Sequence, residues 1–207
     1  MTTVGEIHRF VPGATSAAPT LLVLHGTGGD ENDLLPLARE LSPAASLLAP
    51  RGPVLEHGMP RFFRRVAVGV FDLEDLARRT IELGDFVRDA AGRYGFDPER
   101  VWGFGYSNGA NIAASLLLTE GDTLAGAVLL RPMLPFEPER LPDLSGRAVF
   151  VAAGRRDPYA PPAAVEALAG HLRRAGADVE VAWSDAAHGL EPHELEAAKR
   201  WLTSRVV

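Results

Sequence analysis

Gly105-Tyr106-Ser107-Asn108-Gly109 sets a serine between two glycines, directly after the apolar run Val101-Trp102-Gly103-Phe104. A serine on a sharp strand-to-helix turn lifts its hydroxyl clear of a sheet, and flanking glycines let the neighbouring backbones pass closely. The pattern makes Ser107 a candidate nucleophile for acyl transfer. Alone it is weak, because glycine is frequent here (21 of 207 residues), so its partners must decide.

A serine hydroxyl needs a histidine to take its proton and a carboxylate to fix that histidine's tautomer. Asp157 follows the apolar run Val149 to Ala153 through Gly154-Arg155-Arg156, and His188 follows the run Val179 to Trp183. Asp185 is the rival acid, but it precedes His188 by only three residues, too close in a short loop to orient the ring easily. Of the other histidines, His171 and His193 read as helix-surface residues, His8 as a strand residue and His57 as part of a loop. A fourth component is His25-Gly26-Thr27-Gly28-Gly29-Asp30, directly after Leu21-Leu22-Val23-Leu24. Its glycines let backbone N–H groups turn inward, so Thr27 and Asn108 are the expected backbone donors to a tetrahedral oxyanion. A phosphate loop is the alternative, but no Gly-Lys-Ser/Thr follows and the spacing is not G-x-G-x-x-G.

These groups converge only if strands deliver them to one edge. Apolar runs predict strands over residues 7–11, 21–24, 46–49, 101–104, 125–130, 148–153 and 179–183. Most are continuous rather than alternating, as strands covered on both faces should be. Helical spacing predicts helices over residues 30–41, 73–94, 108–118, 165–172 and 195–202, with Asp72 as an N-cap and Pro161-Pro162 opening another helix. The alternation implies an α/β fold: a mainly parallel central sheet, helices on both faces and ligands at the carboxyl ends of the strands. The chain order Ser107, Asp157, His188 is then that of α/β-hydrolases, not of the chymotrypsin or subtilisin types.

Met59, Phe62, Phe63, Phe71, Met133, Leu134 and Phe136 occupy or flank the two longest connections. They are candidates to line an apolar pocket, with packing onto the core as the competing role for each. Arg61, Arg64 and Arg65 flank the phenylalanine pair and are candidates to meet a substrate carboxylate; a solvated surface or a structural ion pair is the alternative for them and for Arg131. Arg51 reads as a residue that pins its loop, and Trp102, Trp183 and Trp201 fit packing roles.

At 207 residues the chain fits one domain, 1–207, able to bury roughly 70% of its unfolded surface. It has no cysteine, which excludes disulfides and thiolate chemistry and suits a cytoplasmic location. No signal peptide or membrane-length apolar segment is evident, and a net charge of −6 with mixed signs argues against nucleic acid as a partner.

Taken with Gly103-Phe104-Gly105-Tyr106-Ser107-Asn108-Gly109-Ala110, Gly154-Arg155-Arg156-Asp157 and His188-Gly189-Leu190, the loop from Leu24 to Asp30 resembles the phospholipase/carboxylesterase group of α/β-hydrolases, which includes acyl-protein thioesterases. The resemblance spans nearly the whole chain. It implies Ser107 as nucleophile, Asp157 as acid, His188 as base and backbone donors at Thr27 and Asn108, and it suggests a homodimer; that no long insertion interrupts the alternating elements predicts no large cap. Better-known members carry Phe-Ser-Gln where this chain has Tyr106-Ser107-Asn108, a departure that resembles a bacterial esterase subgroup. The expected activity is hydrolysis of short or medium-chain or small aryl esters, or of thioesters, without metal or organic cofactor. The alternatives are a non-catalytic small-molecule binder on the same fold, an acyl-protein thioesterase or lysophospholipase, and a peptidase.

Overall fold

The structure is a computed structural model and describes residues 3–15 and 17–206. In chain order its elements are β1 (His8–Val11), β2 (Thr20–Leu24), α1 (Leu35–Leu41), β3 (Ser46–Pro50), β4 (Val54–Glu56), β5 (Met59–Arg61), β6 (Arg65–Ala67), β7 (Val70–Phe71) and α2 (Leu73–Tyr94). There follow β8 (Val101–Tyr106), α3 (Asn108–Thr119), β9 (Gly126–Leu130), β10 (Ala148–Gly154), α4 (Pro162–Arg174), β11 (Asp178–Ser184) and α5 (Pro192–Thr203). Seven strands form one sheet in the order β1-β3-β2-β8-β9-β10-β11, parallel except for β1, which pairs antiparallel with β3. All seven expected strands are present.

Alternate residues of each central strand feed opposite faces. Leu22, Leu24, Leu129 and Val151 join one cluster with α2, α3 and α4, while Leu21, Val23, Leu130 and Phe150 join a second with α1 and α5. Trp102 and Trp201 meet edge to face in the second cluster, 6.2 Å apart. Helix α3 is buried at every position from Asn108 to Leu118, which explains why it is mostly apolar, with Asn108, Asn111 and Ser115 as its buried, hydrogen-bonded polar residues. Asp72 caps α2 by accepting from the Asp75 N–H at 3.0 Å, and Pro162 occupies the first turn of α4 after Pro161.

Two local expectations change. The helix expected over residues 30–41 begins only at Leu35, because the Asp30 carboxylate accepts from the Asn32 N–H at 2.7 Å and holds this stretch in a turn that competes with helix. The connection before α2 is not a plain loop: β4 and β5 form one hairpin, β6 and β7 another. His57 and Gly58 both have positive φ at the tip of the first, as a two-residue type I′ turn demands, so His57 is a turn residue.

Candidate active site

The nucleophile candidate is held by close packing of backbone. A Cβ on Gly109 would lie 2.0 Å from the Leu24 carbonyl oxygen, and one on Gly105 2.6 Å from the Gly109 carbonyl. Only glycine allows β2, β8 and the start of α3 to come together. Ser107 sits between them at φ 52°, ψ −110°, a backbone state that costs roughly 1–3 kcal/mol and persists only where surroundings enforce it. Its N–H donates to the Leu130 carbonyl at 2.8 Å, tying the turn to β9.

His188 lies four residues past β11 and Asp157 three past β10, so adjacent strand ends deliver both. The Ser107 Oγ is 2.9 Å from His188 Nε2, and His188 Nδ1 is 2.7 Å from Asp157 Oδ2. An ionised carboxylate only accepts, so Nδ1 carries the proton and Nε2 accepts from the serine hydroxyl. Asp157 is buried; its other oxygen accepts from the N–H groups of Tyr159 at 2.8 Å and Ala160 at 3.2 Å, which fixes the carboxylate plane. Asp185 instead points into solvent near Arg155.

Thr27, Ser107, Asn108 and His188 open onto one cleft of about 350 Å³. Asn108 opens α3, so its N–H has no intrahelical acceptor. Its side-chain Oδ1 takes the Phe62 N–H at 2.8 Å and thereby ties the long connection to the nucleophile turn. His25 is buried behind this loop. Its Nδ1 meets the Gly26 carbonyl at 2.6 Å and its Nε2 accepts from the Gly52 N–H at 2.9 Å; burial pushes the imidazole pKa down, as a neutral strut between β2 and β3 requires.

The expected pocket residues part company. Phe71 and Met133 line the cleft. Phe62 and Phe63 are fully buried core residues, the first ring 4.7 Å from His25 and the second edge-on to Phe71; their apolar area goes beneath the cleft rather than into it. Leu134 packs on the core, Phe136 walls a separate cavity with Leu73 and Leu76, and Met59 is exposed, lying over Gly28.

The arginines divide similarly. Arg64 is exposed and paired with Asp72, and Arg51 pairs with Glu31. Arg61 and Arg65 both reach Glu56 and both line the cleft. Arg61 is buried and donates from Nη1 to the Thr27 hydroxyl at 2.5 Å; burial, with Arg65 beside it, lowers its pKa to about 10, so it remains a cation near neutrality. Arg131 is no surface residue: it is fully buried and pairs through both terminal nitrogens with the Glu194 carboxylate at 2.7 Å. Burial works to raise the Glu194 pKa, but hydrogen bonds from Arg131, Glu191 and Ser184 outweigh it and hold the carboxyl below its ordinary range.

Sequence reasoning assigned no role to Tyr106 or Tyr159. Both rings stand against His188, at 5.4 and 5.0 Å between centroids. Their positions beside Ser107 and two residues after Asp157 were the available signal.

A family model described as the dienelactone hydrolase family matches residues 73–200. The chain belongs to that family. It is 51% identical over 187 residues to the Bacillus subtilis (strain 168) protein named "Putative hydrolase MhqD", covering 90% of this chain and 94% of the relative. The crystal structure of the Bacillus cereus carboxylesterase is 49% identical, with a TM-score of 0.94 over 96% of this chain and 93% of that one. YahD, whose structure contains malic acid, is 32% identical, with a TM-score of 0.90 over 95% and 98% of the two chains. The protein is therefore a hydrolase of the α/β-hydrolase superfamily, as its motifs led one to expect, and the dienelactone hydrolase family stands beside the carboxylesterase resemblance. No helix among the described residues is long and apolar enough to cross a membrane.

Proposed function

We propose that the protein hydrolyses carboxylic esters through a covalent acyl-enzyme on Ser107. His188 takes the hydroxyl proton as Ser107 attacks the ester carbonyl, then delivers it to the leaving alcohol; water reverses these roles to release the acid. Asp157 orients the imidazole and stabilises its protonated form. The N–H groups of Thr27 and Asn108 meet the oxyanion, where loss of one donor typically costs about 10²- to 10³-fold in rate. The observation that carries this reading is the continuous chain Ser107 Oγ, His188, Asp157 at 2.9 and 2.7 Å, opening onto a cleft. The cleft's size favours short or medium acyl groups and small aryl esters, and thioesters follow the same chemistry. One sheet carrying both hydrophobic clusters supports a single domain.

The test is hydrolysis of 4-nitrophenyl acetate and butyrate together with labelling by a fluorophosphonate. Wild type should turn over and be labelled stoichiometrically, and Ser107→Ala should do neither. Turnover that persists in Ser107→Ala rejects the reading.

A second reading concerns specificity. No hydrogen bond joins Arg61 Nη2 to a described residue, and the guanidinium faces a cleft that holds Arg65 as well. Such an end suits an ester bearing a carboxylate, and the structure of the similar protein YahD is one with malic acid. The ratio of 4-nitrophenyl hemisuccinate to 4-nitrophenyl butyrate turnover should fall about tenfold in Arg61→Met. An unchanged ratio removes this specificity and leaves the ester chemistry intact.

A further inference from the structure

The segment after β11 that carries His188 has no regular structure, yet every carbonyl from Ser184, the last residue of β11, to Gly189 meets a donor. The Arg155 N–H reaches the Ser184 oxygen at 2.8 Å, Arg156 Nε the Asp185 oxygen at 2.5 Å, and the Arg156 N–H the Ala186 oxygen at 3.1 Å. The next three oxygens are held from the ends of β9 and β8. Arg131 Nε donates to Ala187 at 3.1 Å, the Tyr106 hydroxyl to His188 at 3.1 Å, and Arg131 Nη2 to Gly189 at 2.5 Å. The last three anchors flank the imidazole in the chain, and two of them come from a single planar fork.

Arg131 is an unexpected residue at this place. Its φ of 57° lies in the left-handed region, where asparagine or glycine would sit with less strain, and its charge is fully buried. The Glu194 carboxylate neutralises that charge and is itself held by the Ser184 hydroxyl at 2.8 Å and the Glu191 N–H at 2.7 Å. Both ends of the His188 segment are thus tied to one ion pair: Ser184 through its side chain, Ala187 and Gly189 through their carbonyls. A buried pair is weak evidence for stability by itself, because desolvation offsets the attraction. A fork that satisfies two loop carbonyls and a carboxylate at once is instead a device for fixing geometry.

We infer that Arg131, seated on Glu194 and assisted by Tyr106, is the positioning residue that holds the His188 backbone so that Nε2 stays aligned with Ser107 Oγ. This role rests on His188 being the proton carrier in ester hydrolysis. A misplacement near 1 Å in such a constellation costs on the order of 10²-fold in rate, which sets the expected scale.

The experiment compares Arg131→Met/Glu194→Met, Arg131→Lys and Tyr106→Phe with wild type, using Thr80→Val as a control. The double variant removes both buried charges together and leaves neither unpaired. Thr80→Val breaks a buried 2.6 Å hydrogen bond to Ser115, between α2 and α3 and apart from the His188 segment. With 4-nitrophenyl acetate, kcat should fall about 10²-fold in the double variant, less in Arg131→Lys, and about threefold in Tyr106→Phe, with KM within threefold throughout. The low-field proton resonance of the His188–Asp157 hydrogen bond should broaden in the same order and persist in Thr80→Val. A folded double variant with kcat within twofold of wild type and a sharp resonance overturns the role. If the double variant does not fold, Tyr106→Phe decides: unchanged kcat and an unchanged resonance overturn the role equally. Absence of Ser107-dependent turnover in wild type would overturn the ester reading instead, so the two failures are distinct.

Discussion

The two halves of the candidate site are held by different physics. On the nucleophile side, Ser107 is fixed by what cannot fit: Gly105 and Gly109 permit a close approach of β2, β8 and α3, and a helix buried from Asn108 to Leu118 lies behind it. On the base side, His188 sits in an irregular segment held by hydrogen bonds from residues as far away in sequence as Arg131 and Tyr106. Steric fixation is local and all-or-none. Fixation by polar side chains is distributed, graded and sensitive to the charge state of its members. The two halves should therefore fail differently when perturbed.

The largest effect is expected where orientation alone is altered. In Asp157→Asn the N–H groups of Tyr159 and Ala160 still require an acceptor, so the amide oxygen takes the Oδ1 place and the amide NH₂ faces His188 Nδ1. That donor forces the ring proton onto Nε2, where it can no longer take a proton from Ser107. Activity should drop about 10⁴-fold while the unfolding midpoint barely moves. A loss under tenfold would show that Asp157 does not govern the tautomer. On the nucleophile side the opposite balance is expected. Gly109→Ala puts a methyl against the Leu24 carbonyl, a backbone atom that cannot swing aside, so urea denaturation should show a loss of about 3 kcal/mol or more, with activity falling in step. A variant as stable as wild type would mean that the turn is not sterically enforced.

This contrast also explains what could be read from the chain. The nucleophile half was legible because Gly105, Ser107 and Gly109 are neighbours and their steric demand is written in residue types. The seven strands of the sheet were legible as apolar runs, and the order of Ser107, Asp157 and His188 followed from which runs preceded them. The hairpins β4–β5 and β6–β7 escaped because strands of two or three residues carry no periodicity. Phe62 and Phe63 invited a pocket role because they sit in the long connection between Arg61 and Arg64; nothing local signals that their rings turn under the cleft. Arg131 and Glu194 stand 63 residues apart, and their pairing depends on β9 and α5 meeting around the His188 segment. Long-range polar contacts of that kind leave no spacing pattern.

The smallest expected effect is a change with pH, and it tests the charge sensitivity of the base side. The Glu194 carboxyl is held below its ordinary value near 4.5 in the folded protein, so folding favours its ionised form. The stabilisation is complete above that ordinary value and is lost as the pH falls through the lower folded one, because the unfolded chain then binds the proton first. Glu194→Gln keeps the shape but leaves the buried Arg131 charge uncompensated and sets an amide N–H against donors, so at neutral pH it should cost about 3–5 kcal/mol. As the pH falls, wild type forfeits the advantage and the variant has none to forfeit. The gap between their urea midpoints should therefore narrow toward acid, whereas the penalty of Gly109→Ala, being steric, should stay constant over the same range. Parallel acid profiles for wild type and Glu194→Gln would mean that the pair contributes no ionisation-linked stability, and that the His188 segment is held by shape as fully as Ser107 is.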